Sequence, residues 1–332
     1  MEDTIRLPNT NNLVILFDYV PTEDYSFRID FIRNNETFDE KTGKFSGSLI
    51  PDPERYEWTK INDEEYLHDK FDNILISKEE YGKMLSKMNG VSHPLYFSRP
   101  KISNIDEYAK SRIQKIKEFL SKGEKYVGVD KSEEFLNSLK KDQLKFVILT
   151  IDIKESTKLS QKLTVRDNAK AVSLFAKEMS ALVYNYNGYV LKYTGDGLIA
   201  YFPEPNFIGQ NDLAFDCAYT MKKFTENYLN KILSEQGLPK LKFRIGIDSG
   251  ESMVITIGDP STKQHKDLIS ETANLSSKIQ GVAPKNGIVL GDSTARNLHI
   301  TRRKFCVKYS PSNWKYKQKD GKIYPLHQVV IK

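Results

Sequence analysis

Past Lys145 the alternation of apolar and polar positions resolves into a regular succession of elements. It reads as a strand (146–153), a helix (about 160–187), a hairpin (189–202), a helix (about 210–235), strands at 241–248 and 252–257, a helix (about 268–281), a strand (287–290) and a final hairpin after 305. A strand-helix-strand-strand-helix-strand order is the split β-α-β topology of ferredoxin-like folds, so the predicted fold class is α+β, an antiparallel sheet with packed helices. Asp196-Gly197 marks the tip of the central hairpin, since Asp-Gly is a favoured two-residue turn.

The first hundred residues carry a weaker pattern. β-like runs cover 12–20 and 25–32, the second alternating in polarity, and Asn34 to Pro53 reads as loops. A short helix is expected to start at Ser77, because Glu80 completes a capping box. A longer helix follows at 105–120, where Ile105, Tyr108, Ala109, Ile113, Ile116 and Phe119 recur at helical spacing opposite Lys110, Lys115 and Lys117, and Gly123 ends it. Another short helix spans 132–140. The expected organisation is an N-terminal domain over 1–100, a small mixed α/β region of unassigned role, then a helical connector over 101–144 and a C-terminal domain over 145–332.

Composition narrows the class. The chain has 332 residues, 39% of them hydrophobic, which is enough for ordinary cores in about two domains. No window approaches about 18 uninterrupted apolar residues, and the N-terminus lacks the layout of a secretory signal, so a cytoplasmic protein without membrane association is expected. Cys217 and Cys306 have no metal-like or redox-like spacing and are expected as reduced, packed thiols. None of the five histidines pairs at zinc-like spacing, so each is expected at the surface or in a cap. The net charge of +6 suits an anionic substrate, and without a dense basic block it does not point to nucleic acid.

Chemistry concentrates at two acidic residues 44 positions apart, Asp152 and Asp196, each ending a β-like run. Magnesium or manganese takes hard oxygen ligands, usually one or two carboxylates with phosphates and water completing the shell. Two ions held between such carboxylates activate an attacking oxygen and stabilise departing pyrophosphate. Singly, Asp196 could be a turn residue and Asp152 a helix cap.

Asp152-Ile-x-x-Ser-Thr157, Lys192-x-Thr-Gly-Asp196, Arg244-Ile-Gly-Ile-Asp-Ser-Gly250 and the stretch from Asp267 to Lys278 resemble, in order, the motifs of class III nucleotidyl cyclases, over roughly residues 145 to 332. That resemblance implies metal binding by Asp152, Asp196 and the Ile153 carbonyl, with the amides of Ser156 and Thr157 near metal and phosphate. Arg244 would contact the triphosphate, for which a guanidinium is well shaped. Lys192 and Asp267 would read the base: lysine donating to a ring nitrogen and carboxylate accepting from an exocyclic amine complement adenine or cytosine, and argue against guanine and uracil. Asn274 and Lys278 stand where the family has an asparagine that orients the ribose and an arginine that stabilises the transition state.

Lysine at 278 departs from the family pattern. It keeps positive charge but loses the bidentate fork. The tryptophan-glycine that often follows the base-reading aspartate is replaced by Leu268-Ile-Ser270. Lys317-Gln-Lys319-Asp-Gly321 loosely resembles a Lys-Gly-Lys-Gly turn whose first lysine touches phosphates, which makes Lys317 a further candidate beside the reading of a solvated loop. In the family the metal residues and the base-reading residues come from different subunits. One chain here carries both sets, so the implied unit is a homodimer with interfacial sites.

The loosened motifs and the unfamiliar N-terminal region look similar to the pyrimidine cyclases of bacterial Pycsar anti-phage systems. Cyclic CMP is therefore the first expected product, cyclic AMP the second and cyclic UMP the third, acting through a separate cyclic-nucleotide effector. The alternative from another class is a non-catalytic nucleotide-binding regulator. A diguanylate cyclase is set aside because the Gly-Gly-Asp/Glu-Glu-Phe signature is absent.

Overall fold

The computed structural model describes residues 29–39, 44–88, 101–102, 104–122, 131–139, 143–203 and 207–331. The run at 12–20, most of that at 25–32 and the expected stop at Gly123 lie outside them. The chain divides into two compact units, Met1–Phe97 with His299–Thr301, and Ser98–Leu298 with Arg302–Lys332.

In the first unit, strands β1 (Phe31–Asp39) and β2 (Lys44–Pro51) pair antiparallel, so the expected loops at Asn34–Pro53 are instead a hairpin. Asn34, Asn35, Asp39, Gly43, Ser46, Gly47 and Ser48 suggest turns, but cross-strand pairing overrides that local preference. Strands β3 (Tyr56–Ile61), β4 (Glu64–Asp69) and β5 (Ile74–Ser77) form a separate antiparallel sheet. Helix α1 (Lys78–Met88) begins where the capping box predicts it: Glu80 N donates to Ser77 Oγ at 3.2 Å and Ser77 N to Glu80 Oε2 at 3.0 Å. Buried Arg55 donates to Asp30 (3.1 Å), Asp69 (2.9 Å) and Asp72 (3.1 Å), so its guanidinium is neutralised inside this small unit.

The second unit starts with α2 (Ile105–Lys122) and α3 (Lys131–Ser138), and then builds its sheet from β6 (Gln143–Ile153). The expected helix at 160–187 is two, α4 (Ser156–Ser160) and α5 (Val165–Asn185), the second capped by Thr164, whose side chain accepts from Asp167 N. Strands β7 (Tyr189–Tyr193) and β8 (Gly197–Pro203) follow as a hairpin. Helices α6 (Phe207–Phe224) and α7 (Asn230–Glu235) are joined by a π turn at Thr225–Leu229. Then comes β9 (Phe243–Ile257), a single strand of 15 residues where two were expected; Ser249-Gly-Glu reads as a break, but it pairs continuously with β6.

Strand β10 (His265–Ile269), which the sequence pattern does not predict, pairs with β9 and precedes α8 (Glu271–Val282). Leu268 and Ile269, expected in the helix, belong to this strand. The chain ends with β11 (Gly287–Gly291), α9 (Asp292–Arg296), α10 (Ile300–Arg303), β12 (Cys306–Tyr309) and β13 (Leu326–Val329).

The central order β9-β6-β8-β7, all antiparallel, is that of a split β-α-β fold, with β11 added parallel to β9 and then β13 and β12. Side-chain alternation sorts β6 between two faces. Val147, Leu149, Ile151 and Ile153 pack into the main core with residues of α2, α5 and α6, while Phe146 and Ile148 face the opposite side with Tyr201, Val254 and Leu268. Asp152 belongs to that opposite side, which also receives α8. The parity of one strand therefore sets the direction of the principal candidate residue.

Two further expectations concern the titratable side chains that look superficial in sequence. His299 and His327 are buried, not superficial, and His327 Nε2 lies 3.0 Å from Asp292 Oδ1. Both cysteines are free, as expected, with Cys217 in the core. Among the described residues no helix is long and apolar enough to cross a membrane.

Candidate active site

The end of β6 brings three of the candidate residues together. Asp152 pairs in register with Gly197 on one side and Arg244 on the other, and Ile153 N donates to the Asp196 carbonyl at 3.2 Å. The two aspartates thus stand at adjacent strand ends, as the spacing predicts. The turn differs from expectation: Thr194 N donates to Gly197 O at 3.0 Å, and the positive φ falls on Gly195 (89°), so Asp196-Gly197 is not the tip pair. Gly197 is needed for another reason. A Cβ there would stand 2.1 Å from the Ile151 carbonyl oxygen and 2.8 Å from Asp152 Cα, so only glycine lets β8 close against the start of the site.

Arg244 belongs to the same face. Its Nη2 donates to Asp152 Oδ2 at 2.9 Å and its Nη1 to the Gly281 carbonyl at 3.0 Å, near the end of α8. The glycines of its motif seat that helix. A Cβ at Gly246 would lie 2.3 Å from backbone atoms of Ser276 and Gln280, and one at Gly250 would lie 2.5 Å from Thr272 Oγ1. Thr150 Oγ1 and Ser276 Oγ, 2.9 Å apart, complete the seam. With Thr272, Leu275, Ser276 and Ile279 turned inward, Asn274 and Lys278 are exposed together on the outer face of α8, as their i, i+4 spacing predicts.

Past Ile153 the chain turns through Glu155 in the left-handed region (φ 64°) into α4, which puts Ser156 and Thr157 in its first turn. Lys192 and Asp267 also meet, Nζ to Oδ2 at 2.7 Å. The carboxylate is buried on β10, where Leu268 N donates to its other oxygen at 2.8 Å, while the lysine is about half exposed. Helix α3 packs against both β7 and β10, and Glu133 accepts from Lys266 N at 2.9 Å. The two base-reading candidates, 75 residues apart in sequence, therefore form one donor–acceptor pair.

Lys317 is exposed and forms an isolated bridge with Ile323 at the base of a small hairpin turned by Gly321 (φ 82°). Its neighbour Tyr316, for which the sequence gives no signal, is the residue of this segment that reaches α8: the Tyr316 hydroxyl donates to Glu271, and Lys278 Nζ lies 5.4 Å from its ring centroid. Sequence reasoning also misses the Gly281 carbonyl partner of Arg244 and the buried carboxylate of Asp248. Asp248 shares the strand face of Arg244 but carries no separate signal.

The donor set fits magnesium or manganese. Two aspartates stand at neighbouring strand ends, and among the described residues no group of three His, Cys, Asp or Glu forms a ligand cluster, so phosphate and water oxygens would complete the shell. Asp152 already has a cationic partner in Arg244, so a metal ion and the guanidinium compete for the same oxygens.

Residues 140–327 match the model of the adenylate and guanylate cyclase catalytic domain, and the chain belongs to that family. Among curated relatives it is 25% identical over 169 residues to a cytidylate cyclase of Staphylococcus aureus, covering 50% of this chain and 40% of the relative. It is 25% identical over 184 residues to an adenylate cyclase of Anabaena cylindrica, covering 54% and 36%. A cytidylate cyclase of Escherichia coli is 26% identical over 187 residues, covering 53% and 38%. The chain thus spans two fifths or less of the curated relatives it matches. Among solved structures, the adenylyl cyclase CyaB from P. aeruginosa superposes with a TM-score of 0.51 at 21% identity, over 58% of this chain and 97% of that one. The guanylyl cyclase Cya2 gives 0.50 at 20%, over 57% and 92%. These neighbours share the class III cyclase fold.

Proposed function

We propose that this protein is a nucleotidyl cyclase that converts a nucleoside triphosphate into a 3′,5′-cyclic nucleotide and pyrophosphate. The observation that carries the reading is the placement of Asp152 and Asp196 at adjacent strand ends with Arg244 bonded to the first. Asp152, Asp196 and the Ile153 carbonyl would hold magnesium or manganese, which would supply the charge that makes the ribose 3′ oxygen more reactive and offsets that of the triphosphate.

The chain's own residues do the rest. The 3′ oxygen bonds to the α-phosphorus, the bond to the leaving pyrophosphate breaks, and the hydroxyl proton passes to solvent. Arg244 exchanges Asp152 for phosphate oxygens, which it grips in bidentate fashion. The first turn of α4, with Ser156 and Thr157, lies beside that phosphate path, and Lys317 adds charge from the C-terminal hairpin. Asn274 orients the ribose, and Lys278 meets the charge that grows on the α-phosphate. Positioning and charge neutralisation dominate such a reaction.

Lys192 and Asp267 read the base. An ammonium donor beside a carboxylate acceptor matches the N3 and N4 amine edge of cytosine, and equally the N1 and N6 amine edge of adenine. The relatives named cytidylate cyclase and the lysine at 278 favour CTP, with cyclic CMP as a second messenger for a separate effector in anti-phage defence. The second reading, cyclic AMP, rests on the same edge and on the relative named adenylate cyclase. Cyclic UMP is third.

Incubation with ATP, GTP, CTP and UTP plus manganese, followed by mass spectrometry, tests this. Cyclic CMP is expected, with a loss on the order of 10²–10³-fold in Asp196→Ala. Cyclic AMP alone would overturn the choice of base but not the reaction. Thermal stabilisation by nucleotide without turnover would instead identify a nucleotide-binding regulator.

A further inference from the structure

Lysine at 278 poses a physical problem for the reaction proposed above. An ammonium on a four-carbon stem has no preorganised fork, and on the exposed face of α8 it loses rotamer freedom each time it must point at the reacting phosphate. The structure supplies an external hold. Lys278 Nζ lies 5.4 Å from the Tyr316 ring centroid, within the range of cation–π attraction. The ring is itself held: its hydroxyl donates to Glu271 in the first turn of α8, and that bond pushes the phenol up to about 12, so the donor stays protonated.

The segment carrying Tyr316 is fastened at several points. Tyr324 N donates to the Tyr316 carbonyl at 2.9 Å, the Trp314 indole donates to the Tyr324 carbonyl at 2.8 Å, and the three rings lie 5.9 and 6.0 Å apart in sequence order. Tyr309, elsewhere in the same C-terminal region, donates to the carbonyl of Val282 at the other end of α8. The helix is thus strapped near both ends, with Lys278 lying against the strap.

We propose that Tyr316 is a positioning residue for Lys278, its ring confining the ammonium and Glu271 fixing the ring, so that lysine can serve where the family has arginine. The proposal rests on the cyclase reading and on the role of Lys278 within it. Without the ring, kcat is expected to fall roughly two- to fivefold, as suits a cation–π contact at an exposed site, with KM little changed.

A double-mutant cycle tests it. Tyr316→Leu should lower kcat in the wild-type background and have no further effect in Lys278→Ala, because the ring acts through the lysine. Equal fold losses in both backgrounds, or an unchanged kcat in Tyr316→Leu, would overturn the proposal. Full activity in Lys278→Ala would remove the lysine's role itself, a distinct result that overturns the proposal while leaving the cyclase reading in place. Because Tyr316 also packs on Trp314 and Tyr324, a second measurement avoids loss of packing: tyrosine with one and then two ring fluorines at 316 keeps the ring and its hydroxyl donor to Glu271 while weakening the ring's negative face. A stepwise fall in kcat supports the proposal, and a flat series overturns it.

Discussion

Asp248 shows how one residue acquires properties that its neighbours in sequence do not suggest. It lies on β9 two residues beyond Gly246, on the face that receives α8, and is buried with the Tyr324 hydroxyl donating to Oδ1 at 2.9 Å. Burial pushes its carboxyl up to about 7; hydrogen bonds from Tyr324 and Ser249 oppose this, while Asp292 and Glu271 add to it. A carboxyl with a raised folded pKa binds protons more tightly when folded, so its contribution to stability falls as pH rises from about 4 toward 7. Asp248→Asn should therefore be more stable than wild type at pH 8 by a few kcal/mol at most, since each tenfold change in proton affinity is worth about 1.4 kcal/mol. The gap should close toward pH 4. Thermal melts across that range check it, and a gap that is constant with pH would contradict the assignment.

At the scale of elements, glycines decide how closely strands and helices approach, for reasons unrelated to turns. Gly195 has a positive φ but open space around it, whereas Gly197 has a wall of backbone where a Cβ would go. Gly195→Ala should cost about 1 kcal/mol of backbone strain and leave the core of β8 intact. Gly197→Ala should cost about 1–3 kcal/mol through overpacking and also push β8 away from Asp152, so activity falls further than stability. Chemical denaturation with assays below the transition separates the two effects. Much at this scale was legible: the capping box at Ser77, the helical spacing over 105–120 and the apolar run of β6 are local signals. Strands β1, β2 and β10, and the continuity of β9, were not: β1 and β2 hold each other through cross-strand pairing, β10 is held by β9, and β9 is kept continuous by β6, none of which shows in the pattern within a single strand.

For the whole molecule, the chain carries two sets of candidate residues that no described hydrogen bond or ion pair joins. Asp152 and Arg244 form one pair and Lys192 with Asp267 the other. A two-fold partner would set one chain's first pair against the other's second. Asp196→Ala and Asn274→Ala proteins, each inactive alone, should regain about a quarter of wild-type activity when co-assembled in equal amounts, because random pairing gives half mixed dimers, each with one complete site. No recovery, in samples shown by light scattering to be dimeric, would place each full site within a single chain.

The succession of strand, helix and hairpin from β6 to β8, the placement of Asp152 and Asp196 at neighbouring strand ends and the shared face of Asn274 and Lys278 follow from periodicity and spacing, and the sequence determined them alone. Tertiary structure decided the rest: that Lys192 reaches Asp267, that Arg244 bonds to Asp152 and Gly281, that Asp248 loses its water, and that Tyr316 returns to lie against Lys278. Local pattern reports which way a side chain points from its own element. What it meets there depends on packing between segments far apart in the chain, and on how much solvent that packing removes.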